Sequence, residues 1–160
     1  MRAVVLHQHG GPEQLVYEAD FPDPPPGPGE VVLRVKAMSL NYHDIFTRRG
    51  MPGIKIRLPM IIGLDLAGEI LEVGPDVQDW AVGERVVVDP VNRVSGGLMG
   101  ETLHGGLAER CLVPTHQLIR LPDAVSYEVA AALPCAYGTA YRMMLSQGNI
   151  VAGEKVLILG

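Results

Sequence analysis

The sequence predicts a mainly β fold with short helices, built as a partly open barrel, and three observations carry that expectation. Runs rich in β-branched and other apolar residues recur at residues 2–7, 31–37, 66–73, 85–89, 107–113 and 118–121. Turn-forming pairs separate them at Gly74-Pro75, Gly83-Glu84 and Gly105-Gly106, where glycine and proline set the dihedrals that a reversal requires. The 160 residues also contain 19 Gly and 13 Pro, a content that favours many short elements over a helical bundle.

Taken in order, the run at 2–7 is followed by Pro22, Asp23, Pro24, Pro25, Pro26, Gly27, Pro28 and Gly29. Such a stretch can form neither a ladder nor a helix, so the strands at 2–7 and 31–37 are expected to be joined by a stiff loop. Asn41 stands where it could cap a short helix running through Arg48. The texture changes after Leu121. The stretch 123–133 is expected to hold a helix with Ser126 as N-cap and Glu128 in its first turn, and Pro134 interrupts before a second helical run over about 136–147. Lys155-Val-Leu-Ile-Leu159 then reads as a strand buried on both faces, because a parallel strand covered on both sides loses the apolar-polar alternation.

Composition narrows the function classes. The net charge is −5, so no basic footprint favours a phosphate backbone and nucleic acid is not an expected partner. Cys111 and Cys135 are the only cysteines, too few for a disulfide scaffold or a zinc ribbon, which suits a reducing cytoplasm. The charge-free stretch at 129–141 is broken by Pro134 and falls short of the roughly 20 residues that span a bilayer. No membrane segment is expected.

Several segments together carry a resemblance. They are Met1-Arg-Ala-Val-Val with Gly10-Gly-Pro-Glu13, Leu40-Asn-Tyr-His-Asp44 with Arg49-Gly50, and Pro59-Met-Ile-Ile-Gly-Leu-Asp-Leu-Ala-Gly68. Val73-Gly74 with Val82-Gly-Glu-Arg-Val86, Gly105-Gly-Leu-Ala-Glu109, and Ala130-Ala-Ala-Leu-Pro-Cys-Ala-Tyr-Gly-Thr-Ala140 complete the set. In this order they resemble the medium-chain dehydrogenase/reductase superfamily, which includes zinc alcohol dehydrogenases and zinc-free quinone oxidoreductases. The resemblance implies a GroES-like, partly open β-barrel over residues 1–122, a helical connection over 123–154, and the first strand of a Rossmann nucleotide-binding domain over 155–160. It further implies that NADP or NAD is bound mainly by that second domain, so residues 1–160 alone are not expected to retain catalysis.

The superfamily's zinc enzymes hold catalytic zinc with Cys, His and Cys. By motif these positions fall at Asn41, Leu64 and Cys135, so one ligand of three survives where a tetrahedral site needs three plus an open position. The structural-zinc lobe is also matched without cysteines, over residues 89–104. No zinc is expected. An unorthodox set of His43, His104, Asp44, Asp65 and Cys135 stays open.

For a zinc-free reductase the resemblance makes Asn41 and Tyr42 the catalytic candidates, with Asn41 also on the nicotinamide ribose and Tyr42 giving a proton or hydrogen bond to substrate. Asn41 could equally cap its helix, and Tyr42 could pack beneath a loop. Thr139 is matched to a cofactor contact, with helix packing as the alternative. His43, Asp44, Asp65 and Cys135 are substrate-pocket candidates. His43 titrates near neutrality and could relay a proton or simply be solvated, Asp44 could serve only the helix dipole, and Cys135 is expected to line the cleft as a small apolar residue. The implied function is the substrate-side domain of an NAD(P)H-dependent oxidoreductase acting on quinones, enones or carbonyl compounds, as a homodimer in its full-length form. An alcohol dehydrogenase-like enzyme on alcohols or aldehydes, and a non-catalytic GroES-like binding module, are the alternatives.

Overall fold

A computed structural model describes residues 1–53 and 56–159. The expected strands form, shifted at their ends, as β1 (Ala3–Leu6), β3 (Glu30–Ser39), β5 (Asp65–Val73), β6 (Arg85–Val88), β7 (Arg110–Pro114) and β8 (Leu118–Arg120). Two strands were not anticipated, β2 (Leu15–Glu18) and β4 (Met60–Ile61). β2 follows a single turn at Pro12–Gln14 and buries no residue fully, with Val16 and Tyr17 exposed, and β4 is only two residues long beside Pro59, so neither displays an alternating buried face.

The described strands make two antiparallel sheets, β2-β1-β4 and β7-β3-β5-β6-β8. β1 and β3 therefore lie in different sheets, and the expected direct succession of these two strands is corrected by β2, which pairs with β1 from Ala3↔Glu18 to Leu6↔Leu15. One segment stitches the sheets together. The amides of Gly105, Gly106 and Leu107 donate to the carbonyls of Ile61, Gly63 and Ile62, and the Leu107 carbonyl accepts from the Val4 amide. The Glu109 carbonyl then accepts from Val35 at 2.9 Å, and the chain continues as β7 alongside β3. Close approach demands glycine here: a Cβ on Gly106 would stand 2.8 Å from the Cβ of Leu66.

Alternation along the five-stranded sheet divides its two faces. Val31 and Leu33, Leu66 and Ile70, Val86 and Val88, and Cys111 and Val113 point to one side and form the main core with Met99 and Leu118. Ala67 and Val87, of opposite parity, pack on the other side against Ala130 and Ala131 of helix α2 (Tyr127–Ala131). Small residues on both partners let the helix lie close to the sheet. The Arg85 guanidinium stacks 4.6 Å from the Tyr127 ring centre and donates to the Val125 carbonyl at 2.6 Å, fixing the approach to α2. Ser126 caps this helix as expected, accepting from the Val129 amide at 3.3 Å.

The expected helix begins after its Ser126 cap and runs as α2 to Ala131. Pro134 does not end helical structure but changes its pitch. It sits in a π-helical turn over Leu133–Tyr137, followed by α-helical Gly138–Tyr141 and a second wide turn over Arg142–Gln147. Proline has no N–H to donate and its ring crowds the preceding turn, and a widened turn is one way a helix absorbs that. The apolar run at 155–159 is not in a strand: no ladder partner lies beside it among the described residues. Leu157, Ile158 and Leu159 are more than 80% exposed. An apolar run joins a ladder only where neighbouring strands pair its backbone. Gly160 lies outside the described residues.

Candidate functional site

The candidate residues meet where the end of β3, the start of helix α1 (Tyr42–Arg49), the start of β5 and the π turn after α2 converge. Asn41 is the N-cap of α1. Its backbone amide donates to Asp44 Oδ2 at 2.7 Å, and the Asp44 amide donates back to the Asn41 carbonyl at 3.1 Å. Gly50 ends the helix in the left-handed conformation, φ 77°, and its amide returns to the Phe46 and Thr47 carbonyls.

Asp44 does far more than answer the helix dipole. It is 2% exposed, and its Oδ1 accepts the Gly63 and Leu64 amides at 3.1 and 3.0 Å. Three backbone donors thus converge on one carboxylate, which clamps the 63–64 bend to the first turn of α1. Burial pushes its pKa up, opposed by those same donors, which favour the anion. Gly63 bends at φ 113°, where a side chain would be strained and a Cβ would meet the Leu107 amide nitrogen at 2.9 Å.

Asp65 is fully buried and forms the hub of the group. Its Oδ2 accepts from Asn41 Nδ2 at 3.1 Å and from the Cys135 amide at 3.0 Å, and Ser39 Oγ stands 3.4 Å away. The Ser39 hydroxyl makes its closer bond to the Ala131 carbonyl, at 2.9 Å. Asp65 Oδ1 is buried and has no hydrogen-bond partner among the described residues. Burial raises the Asp65 pKa, and the nearby Asp44 charge adds to the rise.

Other expectations are changed by the structure. Tyr42 is 78% exposed, so it does not pack beneath a loop; its ring lies 6.1 Å, centre to centre, from Phe46. His43 is not simply solvated. Its Nε2 lies 3.0 Å from Glu101 Oε2, with both side chains mostly buried. Cys135 is partly rather than fully buried, and its thiol pKa is raised first by burial and then by the charges of Asp65 and Asp44. Both effects favour the neutral thiol over the nucleophilic thiolate. Thr139 is exposed, one helical turn beyond Cys135. Cys111 is buried in β7, and burial pushes its pKa up to about 12.

The donor chemistry does not suit tetrahedral zinc. Asn41 turns an N–H donor toward Asp65, Leu64 is an apolar side chain, and Asp65 Oδ2 already takes protein hydrogen bonds. His104 Nδ1 accepts the Ile61 amide at 3.1 Å, and its ring sits edge-on to Phe21. Among the described residues no group of three or more His, Cys, Asp and Glu side chains is placed to hold a metal, so the unorthodox ligand set is not assembled.

A cavity of about 350 Å³ lined by Phe21, Met60, His104 and Leu112 includes none of the hub residues. Ser39 and Glu101 were missed as members of this neighbourhood. Ser39 lies just ahead of the Asn41 segment, but Glu101 comes from a distant loop and carries no local signal.

Comparison with known proteins places this geometry. The family model described as "Alcohol dehydrogenase GroES-like domain" matches residues 27–123. A quinone oxidoreductase of Lama guanicoe is 36% identical over 160 residues, covering all of this chain and 45% of that protein. The structure of an NAD-dependent alcohol dehydrogenase superposes with a TM-score of 0.88 at 37% identity, covering 96% of this chain and 49% of the other. A mycobacterial protein whose structure is of its complex with NADPH gives 0.79 at 30% identity, over 96% and 44%. The chain spans about half the length of the curated relatives it matches, or less. Among the described residues no helix is long and apolar enough to cross a membrane.

Proposed function

The chain belongs to the alcohol dehydrogenase GroES-like domain family, within the medium-chain dehydrogenase/reductase superfamily, and on that premise we propose that it forms the substrate-side wall of a zinc-independent, NAD(P)H-dependent reductase of quinones, enones or carbonyl compounds. The single observation that carries the zinc-free part is the Asn41–Asp65 hydrogen bond, 3.1 Å long. It sets an amide N–H where a zinc enzyme needs a thiolate lone pair.

The residues present suit a nicotinamide. Asn41 is only half-buried, Tyr42 and Thr139 are exposed, and the Asp65 hub ties the segments that carry them to one carboxylate. The bound cofactor supplies a hydride to the substrate. Asn41 would hydrogen-bond the cofactor's ribose or carboxamide, and Thr139 would contact its nicotinamide side. The Tyr42 phenol donates a hydrogen bond or proton to the oxygen on which negative charge develops. Such donors matter most for an electron-poor alkene or quinone, whose reduction needs charge stabilisation but no Lewis acid. In the same reading the two free thiols fit a reducing cytoplasm, and the protein from its complete reading frame acts as a homodimer on a small-molecule substrate.

A second reading, oxidation of alcohols or reduction of aldehydes, is favoured by one observation, the high similarity to the NAD-dependent alcohol dehydrogenase structure. Two measurements on protein made from the complete reading frame, without a His-tag, separate them. We expect quinone or enone reduction to exceed alcohol oxidation, with NADH and NADPH compared in parallel, and metal analysis to give far less than one zinc per chain. Stoichiometric zinc together with alcohol turnover overturns the proposal.

A further inference from the structure

We propose that Asp65 is the positioning residue of this site, holding the Asn41 amide with its nitrogen turned inward so that its oxygen is the atom left for a ligand's hydrogen-bond donor. The ligand half rests on the reading of Asn41 as a cofactor contact; the orientation stands on geometry alone.

A primary amide has two ends of nearly equal shape and opposite hydrogen-bonding character. Whether Asn41 offers a donor or an acceptor is therefore decided by what fixes its rotation, and Asp65 is the partner that does so. Its Oδ2 takes Asn41 Nδ2 at 3.1 Å in a part-buried bond, with the Asp65 side chain itself fully buried. The opposite rotamer would bring the amide oxygen against a carboxylate oxygen at the same separation, which low local polarity makes strongly unfavourable.

Asp65 itself has little freedom to yield. The same Oδ2 also accepts the Cys135 amide at 3.0 Å, and Ser39 Oγ approaches from β3 at 3.4 Å. One carboxylate thus links three segments: the end of β3, the cap of α1, and the π turn that leads to Thr139. The buried, unpartnered Oδ1 leaves the side chain held through its other oxygen alone. The Asn41 side chain faces the Asp44 backbone N–H in the capping box of α1, so the second lone pair of its oxygen is the acceptor left for a ligand, beside exposed Tyr42. A carboxamide N–H or a sugar hydroxyl is matched by that acceptor, whereas a ligand offering only a carbonyl oxygen is not.

The orientation is tested on the 15N-labelled chain by NMR. In the wild type the Asn41 side-chain amide should exchange slowly with solvent, and in Asp65→Asn both this signal and the Cys135 backbone amide should move, with Asn41 exchange about tenfold faster. Asp65→Glu, which keeps the charge, serves as the second variant if Asp65→Asn does not fold, and should preserve the slow exchange better than Asp65→Leu. A wild-type Asn41 amide that exchanges like a free side chain, or one indifferent to Asp65→Asn while Cys135 moves, overturns the positioning role. On protein from the complete reading frame, Asp65→Asn should raise the NADPH KM about tenfold with little change in kcat, since one ground-state hydrogen bond is lost. A slow-exchanging wild-type amide combined with an unchanged KM in both Asp65→Asn and Asn41→Ala supports the orientation and overturns the cofactor reading of Asn41 instead.

Discussion

His43 Nε2 stands 3.0 Å from Glu101 Oε2, joining the first turn of α1 to the loop ahead of β7. The two residues are far apart in sequence, and each keeps less than a quarter of its side chain exposed. Contact of this kind orders a loop against the wall on which Asn41 and Tyr42 sit.

A double-mutant cycle with His43→Ala and Glu101→Ala should therefore show a coupling of about 1 kcal/mol, at the upper end of surface pairs because the pair is partly buried. Urea unfolding measures it. Strict additivity of the two single variants would mean that the contact does not persist in solution.

Asp44→Ala should be severely destabilising. It leaves the Asn41, Gly63 and Leu64 amides without their acceptor, at about 1 to 3 kcal/mol for each buried group that finds no water, so a loss of at least about 3 kcal/mol is expected. Asp44→Asn keeps one acceptor oxygen and should lose less. Equal stability of wild type and Asp44→Ala in denaturant titrations would contradict the clamp.

Asp65 has a folded-state pKa above its ordinary value of 3.8, chiefly because it is buried. A raised acid pKa means that the folded state binds the proton more tightly than the unfolded state. The contribution of Asp65 to stability is thus greatest below the unfolded value, and it is lost as pH rises from about that value through the raised folded one. The difference in unfolding free energy between wild type and Asp65→Asn should accordingly shift against the wild type as pH rises through that window. A pH-independent difference would show that the carboxyl titrates normally.

The two thiols should differ in reactivity. Cys111 is buried, with its pKa pushed up to about 12, so a thiol reagent at mildly alkaline pH should reach it only after unfolding. Cys135 is partly exposed but also raised, and should react in the folded protein more slowly than a small free thiol. Rapid labelling of both in native buffer would refute the burial of Cys111.

Local chemistry made much of this molecule legible. The alternating runs located six strands because one buried face imposes a period of two, as at Val31 and Leu33 or Cys111 and Val113. Ser126 was recognisable as a cap, and the motif around Asn41 marked a helix start, because capping is a matter of a few adjacent residues. β2 escaped notice because it has no fully buried face to impose a period, β4 because it is two residues long, and Pro134 was read as a break although the helix widened around it.

The sequence by itself determined the barrel class and the family, for these depend on residue identity and short-range order. Only the tertiary structure decided that Asp44 clamps the 63–64 bend, that Asp65 gathers Asn41, Ser39 and Cys135, and that Glu101 meets His43. Those partners are distant along the chain. Which oxygen a buried donor reaches is settled by the packing of whole elements, a long-range property that no window of sequence contains.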